Sequence, residues 1–172
     1  MSENQNAITI SAARWSPPQL TSALQAEIYL ADGAYVYCPA LTDDLVPEAE
    51  RILAAYRDSL QPARSRDISA MIGTAALAYP APTRFGDIEA KARVRLFVDL
   101  LSDLPRDSLA HAFREWVCNN RFFPTPAEIR ALAEDFLKPR FKMIRSLNNL
   151  LSKTRLEHRT PDGRRSETTR GC

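Results

Sequence analysis

Apolar residues recur at helical spacing along most of the chain, and the stretches between these stripes carry residues that start and stop helices. Leu45, Ala49, Ile52, Leu53, Tyr56 and Leu60 mark one face, with Glu48, Glu50, Arg51, Arg57 and Asp58 mainly elsewhere, which predicts a helix from Thr42 onward. After Gln61-Pro62-Ala63-Arg64, a second run carries Ile68, Met71, Ile72, Ala75 and Ala76, and its small residues Ala70, Gly73 and Ala78 would let a neighbour approach closely; Tyr79-Pro80-Ala81-Pro82 ends it. The third run, Asp87 to Leu101, has two apolar faces: Ala90, Val94, Phe97, Val98 and Leu101 on one, Ala92, Leu96 and Leu100 on the other. That pattern predicts the central, most buried helix. Pro105 opens a fourth helix whose Leu109, Ala112, Phe113, Trp116 and Val117 fall at i, i+3, i+4, i+7 and i+8. Ile129, Leu132, Ala133, Phe136 and Leu137 repeat that spacing in a fifth.

Between the last two stripes lies Arg121-Phe122-Phe123-Pro124-Thr125-Pro126-Ala127-Glu128-Ile129-Arg130. Thr125 can cap a helix with its hydroxyl, Pro126 suits the first helical position, and Glu128 is placed to reach back to the cap amide. So short a connection predicts an αα-hairpin, with Trp116, Phe122 and Phe123 wedged between its helices. Pro139 is expected to interrupt or kink the chain after the fifth stripe, because its ring removes a hydrogen bond from a helix interior. Beyond it Phe141, Ile144, Leu147, Leu150 and Leu151 form another stripe, surrounded by Lys138, Arg140, Lys142, Arg145, Lys153 and Arg155.

The ends are weaker in pattern. Residues 1 to 15 read as disorder, with Trp15 tethering them to the body. Ser16-Pro17-Pro18 resembles a helix start, and Leu20, Leu24 and Ile28 come next, giving a short helix that ends at Asp32-Gly33. Ala34-Tyr35-Val36-Tyr37-Cys38 has strand-like composition without a partner strand and is expected to be extended. From Glu157 to Cys172 apolar residues nearly vanish, which reads as disorder. The expected organisation is thus an all-α bundle of about five helices ending in an αα-hairpin: an N-terminal segment over 1–41, a bundle over 42–137, a basic amphipathic helix over 138–156, and a tail over 157–172.

Composition narrows the class. A chain of 172 residues, 45% hydrophobic, can bury the core of one ordinary domain. It has no apolar run of the roughly 18 residues a membrane span needs, and no charged start and apolar block of a signal peptide, so a cytoplasmic location is expected. Cys38, Cys118 and Cys172 are far apart and odd in number, which suits unpaired thiols in a reducing compartment and offers no zinc spacing. The net charge of +2 conceals a split: from residue 138 onward ten Lys and Arg face three Asp and Glu, or +7, leaving 13 against 18, or −5, before it. A basic arm on an acidic body suits a polyanion or an acidic protein surface, and equally a solvated tail.

Catalytic chemistry is not evident. There is no phosphate loop, GxGxxG, HExxH or GxSxG, and the two histidines, His111 and His158, lie on a polar helix face and in the basic tail. Asp43-Asp44 and Glu134-Asp135 are explained by favourable charge near a helix start and by a solvated face. The sequence therefore predicts no enzyme, no cofactor and no metal.

The run Leu101-Ser102-Asp103-Leu104-Pro105, then Ala112-Phe113-Arg114-Glu115-Trp116-Val117, then Phe123-Pro124-Thr125-Pro126-Ala127-Glu128-Ile129-Arg130 resembles the phage replicative-helicase loader and inhibitor family. The similarity covers residues 96 to 134 and extends back to about residue 44. It implies a small helical domain with a flexible tail, a non-enzymatic DNA-replication accessory protein of phage or prophage that binds a hexameric replicative helicase. Trp116, Phe123, Pro124, Thr125, Pro126, Glu128 and Ile129 are expected to be architectural. Lys138, Arg140, Lys142, Arg145, Lys153 and Arg155, with Phe141, Ile144 and Leu147 as apolar anchors, are the expected contacts to the helicase, to DNA, or to both. An alternative is a DNA-binding transcriptional regulator of prophage origin, with the hairpin mimicking a helix-turn-helix. Against it, Glu128, Glu134 and Asp135 make the second helix acidic. A hydrolase built from scattered carboxylates is a third reading.

Overall fold

The computed structural model describes residues 15–33, 40–80 and 86–159. Among these are six helices: α1 (Ser22–Gly33), α2 (Val46–Asp58), α3 (Ser65–Ala76), α4 (Asp87–Leu101), α5 (Arg106–Asn119) and α6 (Pro126–Arg159). No strand occurs among the described residues, only one isolated bridge between Pro62 and Pro105. The protein is all-α, as the periodicity predicts. The expected extended segment over Ala34–Cys38, the disordered start before Trp15 and the tail beyond Arg159 lie outside the described residues.

The chain divides into two compact units. Of the described residues, one takes in 15–17, 56–80 and 86–141, and the other 18–33, 40–55 and 142–159. Helices α2 and α6 therefore have residues in each, a division different from the expected boundaries at 42 and 138.

In the first unit α3 packs on α4 and α5. One continuous core gathers Ile68, Met71, Ile72 and Ala75 of α3, Phe97 and Leu101 of α4, Leu109, Ala112 and Phe113 of α5, and Ile129, Ala133 and Leu137 of α6. Each large side chain fully withdrawn from water here contributes about 1.5–3 kcal/mol. The helix expected to be central is not: α4 buries only Phe97 and Leu101, while Ile88 is 85%, Leu96 52% and Leu100 46% exposed. Its first apolar face meets the core and its second faces outward. Helix α5, with Ser108, Leu109, Ala110, Ala112 and Phe113 buried, takes the central position.

The α5–α6 hairpin matches its sequence closely. The Asn120 amide donates to the Trp116 carbonyl at 2.9 Å and closes α5, and the Trp116 indole donates to the Phe122 carbonyl at 2.8 Å. Pro124 is fully buried. The Glu128 carboxylate accepts the Thr125 amide at 2.7 Å and the Thr125 hydroxyl at 2.8 Å, and that hydroxyl accepts the Glu128 amide at 3.4 Å, a reciprocal capping box. Thr125→Ala is expected to destabilise the first unit by about 1 kcal/mol in chemical denaturation. Phe122 does not wedge between the helices: its side chain is 81% exposed, and only its backbone carbonyl is used.

Of the interruption or kink expected at Pro139, the interruption is absent, and α6 runs through it. The amide that proline lacks would have bonded the carbonyl of Asp135, four residues back. Pro139 and Asp135 are both exposed, so water can satisfy that carbonyl and the ring meets no packed neighbour.

The second unit buries Leu24 of α1, Leu41, Ala49, Ile52 and Leu53, and Leu147, Leu150 and Leu151 of α6. The Thr154 hydroxyl accepts the Leu41 amide and donates to the Leu150 carbonyl, both at 2.9 Å, pinning the chain before α2 to α6. Helix α1 starts later than Ser16-Pro17-Pro18 suggests. The Thr21 hydroxyl accepts the Leu24 amide at 3.3 Å, and the Thr21 amide and hydroxyl both donate to Glu48, at 2.9 and 2.8 Å. These bonds, led by the one from the backbone amide, hold the Glu48 carboxyl below its usual value.

Candidate partner-binding site

The basic segment of α6 offers less free charge than its sequence suggests. Arg140 is 5% exposed. Its guanidinium forms a two-pronged ion pair with Asp107 in the first turn of α5, one prong measuring 3.3 Å, and donates to the Ser59 carbonyl at 3.2 Å. It lies over the Trp15 ring at 4.5 Å and the Phe136 ring at 5.4 Å, and Trp15 in turn packs edge-on against Tyr56 at 4.9 Å. A guanidinium so enclosed is a structural group, and it is withdrawn from the expected contact set.

Other members are also engaged. Lys138 pairs with Asp135 at 2.5 Å within α6, a contact that raises the Lys138 pKa, and Arg155 pairs with Glu50 at 2.9 Å. Leu147 is buried and Ile144 half-buried, so neither is an open anchor, whereas Phe141 is 47% exposed. Lys142 and Arg145 are exposed, Lys153 is half-buried, and Arg145 has no ion-pair partner among the described residues.

The hairpin residues hold positions rather than ligands. Trp116, Phe123, Pro124, Thr125, Pro126, Glu128 and Ile129 shape the turn and the core, with Ile129 fully buried and Phe123 packed at its edge. Arg130, one turn into α6, pairs with Asp103 at 2.5 Å and with Glu134 at 3.4 Å, and also donates to the Leu100 carbonyl at the end of α4. The bond from Arg130 holds the Asp103 carboxyl below its usual value. His111 stacks on Phe136 at 4.4 Å across the hairpin.

Sequence reasoning missed a groove of about 420 Å³ beside α3 and α4, lined by Ile72, Ala76, Tyr79, Ala90, Val94 and Phe123, with Glu89 and Arg93 at its margin. The Tyr79 and Phe123 rings meet edge-on at 5.9 Å, Phe123 contacts Phe97 at 5.7 Å, and Arg93 lies over Phe123 at 5.3 Å. The Tyr79 hydroxyl donates to the Asn120 carbonyl at 3.4 Å. The surface is thus built on side chains fixed by the core and by the hairpin turn. Exposed Ile88, Leu96 and Leu100 continue apolar character along α4. On α4 the groove takes Ala90 and Val94 from the first apolar face, while Leu96 and Leu100 of the second face stay outside its lining.

No group of three or more metal-ligating side chains occurs among the described residues, and no helix among them is long and apolar enough to cross a membrane. The groove can bury apolar side chains and frame them with one carboxylate and one guanidinium, which is recognition chemistry. The chain matches no family model, no curated protein and no solved structure.

Proposed function

We propose that the protein is a non-enzymatic accessory factor of phage or prophage DNA replication that binds a replicative helicase, loading or restraining it, with the groove between α3 and α4 as the main contact. The groove is the observation that carries a protein partner: aromatic and aliphatic side chains lie open beside the hairpin on which the family resemblance rests. Its occupant is an amphipathic helix of the helicase laid in with its apolar face down. Ala76 and Ala90 let a backbone come close, and Lys91, Arg93 and Arg95 against Glu89 favour an acidic flank on that helix. Exposed Lys142 and Arg145 serve as secondary electrostatic contacts. The regulator reading has less support, because Arg130, the one cation of its would-be recognition helix up to Leu137, is occupied by Asp103 and Glu134.

The test is a titration of the full-length protein against the purified helicase of the phage or its host. Ala90→Glu, at an exposed position, is expected to weaken binding at least tenfold, whereas Lys142→Glu with Arg145→Glu changes it about threefold. Equal binding by Ala90→Glu and the parent removes the groove from the interface, and no binding at micromolar concentrations removes the helicase. A chain cut at residue 137 is unsuitable, because it loses Arg140 and the buried Leu147, Leu150 and Leu151.

A further inference from the structure

In contrast to the apolar groove, a polar concavity of about 430 Å³ is lined by Pro62, Ala63, Arg64, Arg66, Asp67 and Arg106. We propose that it binds the phosphodiester backbone of a nucleic acid, independently of sequence and independently of any helicase. Three guanidinium groups face one carboxylate there, and the scaffold beneath them is fixed. The Pro62–Pro105 bridge and the hydrogen bond from the Ala63 amide to the Leu104 carbonyl, at 2.9 Å, hold the segments before α3 and α5 side by side.

The carboxylate is a loose partner to Arg66. Asp67 lies 3.9 Å from the Nε of Arg66 and 3.9 Å from the Nε of Arg106, within ion-pair reach but beyond a hydrogen bond. Arg66 is 75% and Arg106 48% exposed, and Arg64 is exposed without an ion-pair partner among the described residues. Exposed guanidinium groups suit phosphate oxygens, which accept two parallel N–H bonds from one arginine. The amino-terminal ends of α3 and α5 add partial positive charge of the same sign, while the arginines supply the formal charge.

The lining also selects the kind of phosphate ligand. It holds no aromatic ring, and its apolar members, Pro62 and Ala63, are small, so a nucleotide would be gripped mainly by its phosphate. A polymer that offers consecutive phosphates to Arg64 and Arg66 gains from each of them, and its affinity then falls steeply with salt. Sequence inspection could not single out this place, because Arg64 and Arg66 are separated from Arg106 by two helices and their loops.

The experiment is fluorescence anisotropy of an end-labelled, mixed-sequence single-stranded oligonucleotide with the full-length protein, across a salt series beginning near 50 mM. Arg64→Ala with Arg66→Ala is expected to weaken binding about tenfold at the lowest salt and to flatten the slope of log K against log salt by about 0.7 for each phosphate no longer neutralised. Arg64→Lys with Arg66→Lys, which preserves the charge and tests for a mere folding defect, is expected to keep most of that slope. Arg51→Gln with Arg121→Gln, at exposed positions outside both surfaces, is expected to change affinity less than twofold, and Lys142→Gln with Arg145→Gln tests the α6 cations as the rival contact. Three results would overturn the assignment: no binding by the parent at the lowest salt, parental binding by the alanine pair, or a loss seen only in the α6 pair. Inorganic phosphate added at matched ionic strength separates the two sources of phosphate. Displacement no stronger than by chloride supports the polymer, and displacement at millimolar phosphate assigns the site to a free anion instead.

Discussion

Replacing Arg140 with methionine is expected to lower the stability of the first unit by about 3–5 kcal/mol, the range for removing one partner of a buried ion pair. The loss comes mainly from the groups that the missing guanidinium strands. Asp107 has a side chain only 11% exposed, and without Arg140 its carboxylate keeps the Ser108 amide at 2.9 Å but loses its counter-charge. The Ser59 carbonyl loses a donor, and the Trp15 and Phe136 rings lose the flat cation that fills the space over both. Arg140→Lys is expected to recover only part of the loss, since an ammonium can neither reach both carboxylate oxygens in parallel nor stack flat on the rings. Arg140→Met combined with Asp107→Leu is expected to be closer to the parent than Arg140→Met alone, because the stranded charge is gone. Urea unfolding of these proteins together with Asp107→Leu alone measures this coupling; an Arg140→Met loss below about 1 kcal/mol would show that water reaches the pair and screens it.

Arg140 also shows where the sequence was legible and where it was not. Periodicity placed α4 at its observed limits, and the Thr125 cap fixed the start of α6, because those signals are local: a hydroxyl, a carboxylate three residues on and a proline with no amide to lose. Periodicity could not rank the two apolar faces of α4, since each is a valid helical stripe and only the packing of α3 and α5 decides which one is buried. Charge had the same defect. Six cations over 138–155 read as a free basic surface, yet the partners that occupy Arg140 and Arg155 come from Asp107 and Glu50, far away in sequence. A contact between residues 33 or 105 positions apart leaves no spacing to read. The groove and the arginine-lined concavity are non-local for the same reason, which is why neither can be read from the sequence and the basic segment stands out in their place.

The continuity of α6 runs against what Pro139 leads us to expect, and it leads to the second large expected effect. Ile129, Ala133, Leu137, Arg140, Ile144, Leu147, Leu151 and Thr154 step by four, four, three, four, three, four and three, one helical phase carried across Pro139, and all but half-buried Ile144 are buried. A break at the proline would have reset that phase. The stripe on each side therefore holds the helix together against a residue that costs about 3 kcal/mol relative to alanine in a helix interior. Pro139→Ala is expected to restore the amide bond to the Asp135 carbonyl and to stabilise the protein. The unfolded chain gains freedom when the ring is removed, which offsets about 0.4–1 kcal/mol, so the net gain is about 2 kcal/mol. Pro139→Gly is expected to gain about 1 kcal/mol less than the alanine variant, since it restores the same amide with a poorer helix former. Chemical denaturation measures both, with far-ultraviolet circular dichroism checking that helix content does not fall. The order alanine, glycine, proline from most to least stable means that α6 passes through residue 139 as a strained but regular helix. If proline is instead the most stable of the three, its fixed backbone angle stabilises this turn by more than its missing hydrogen bond destabilises it.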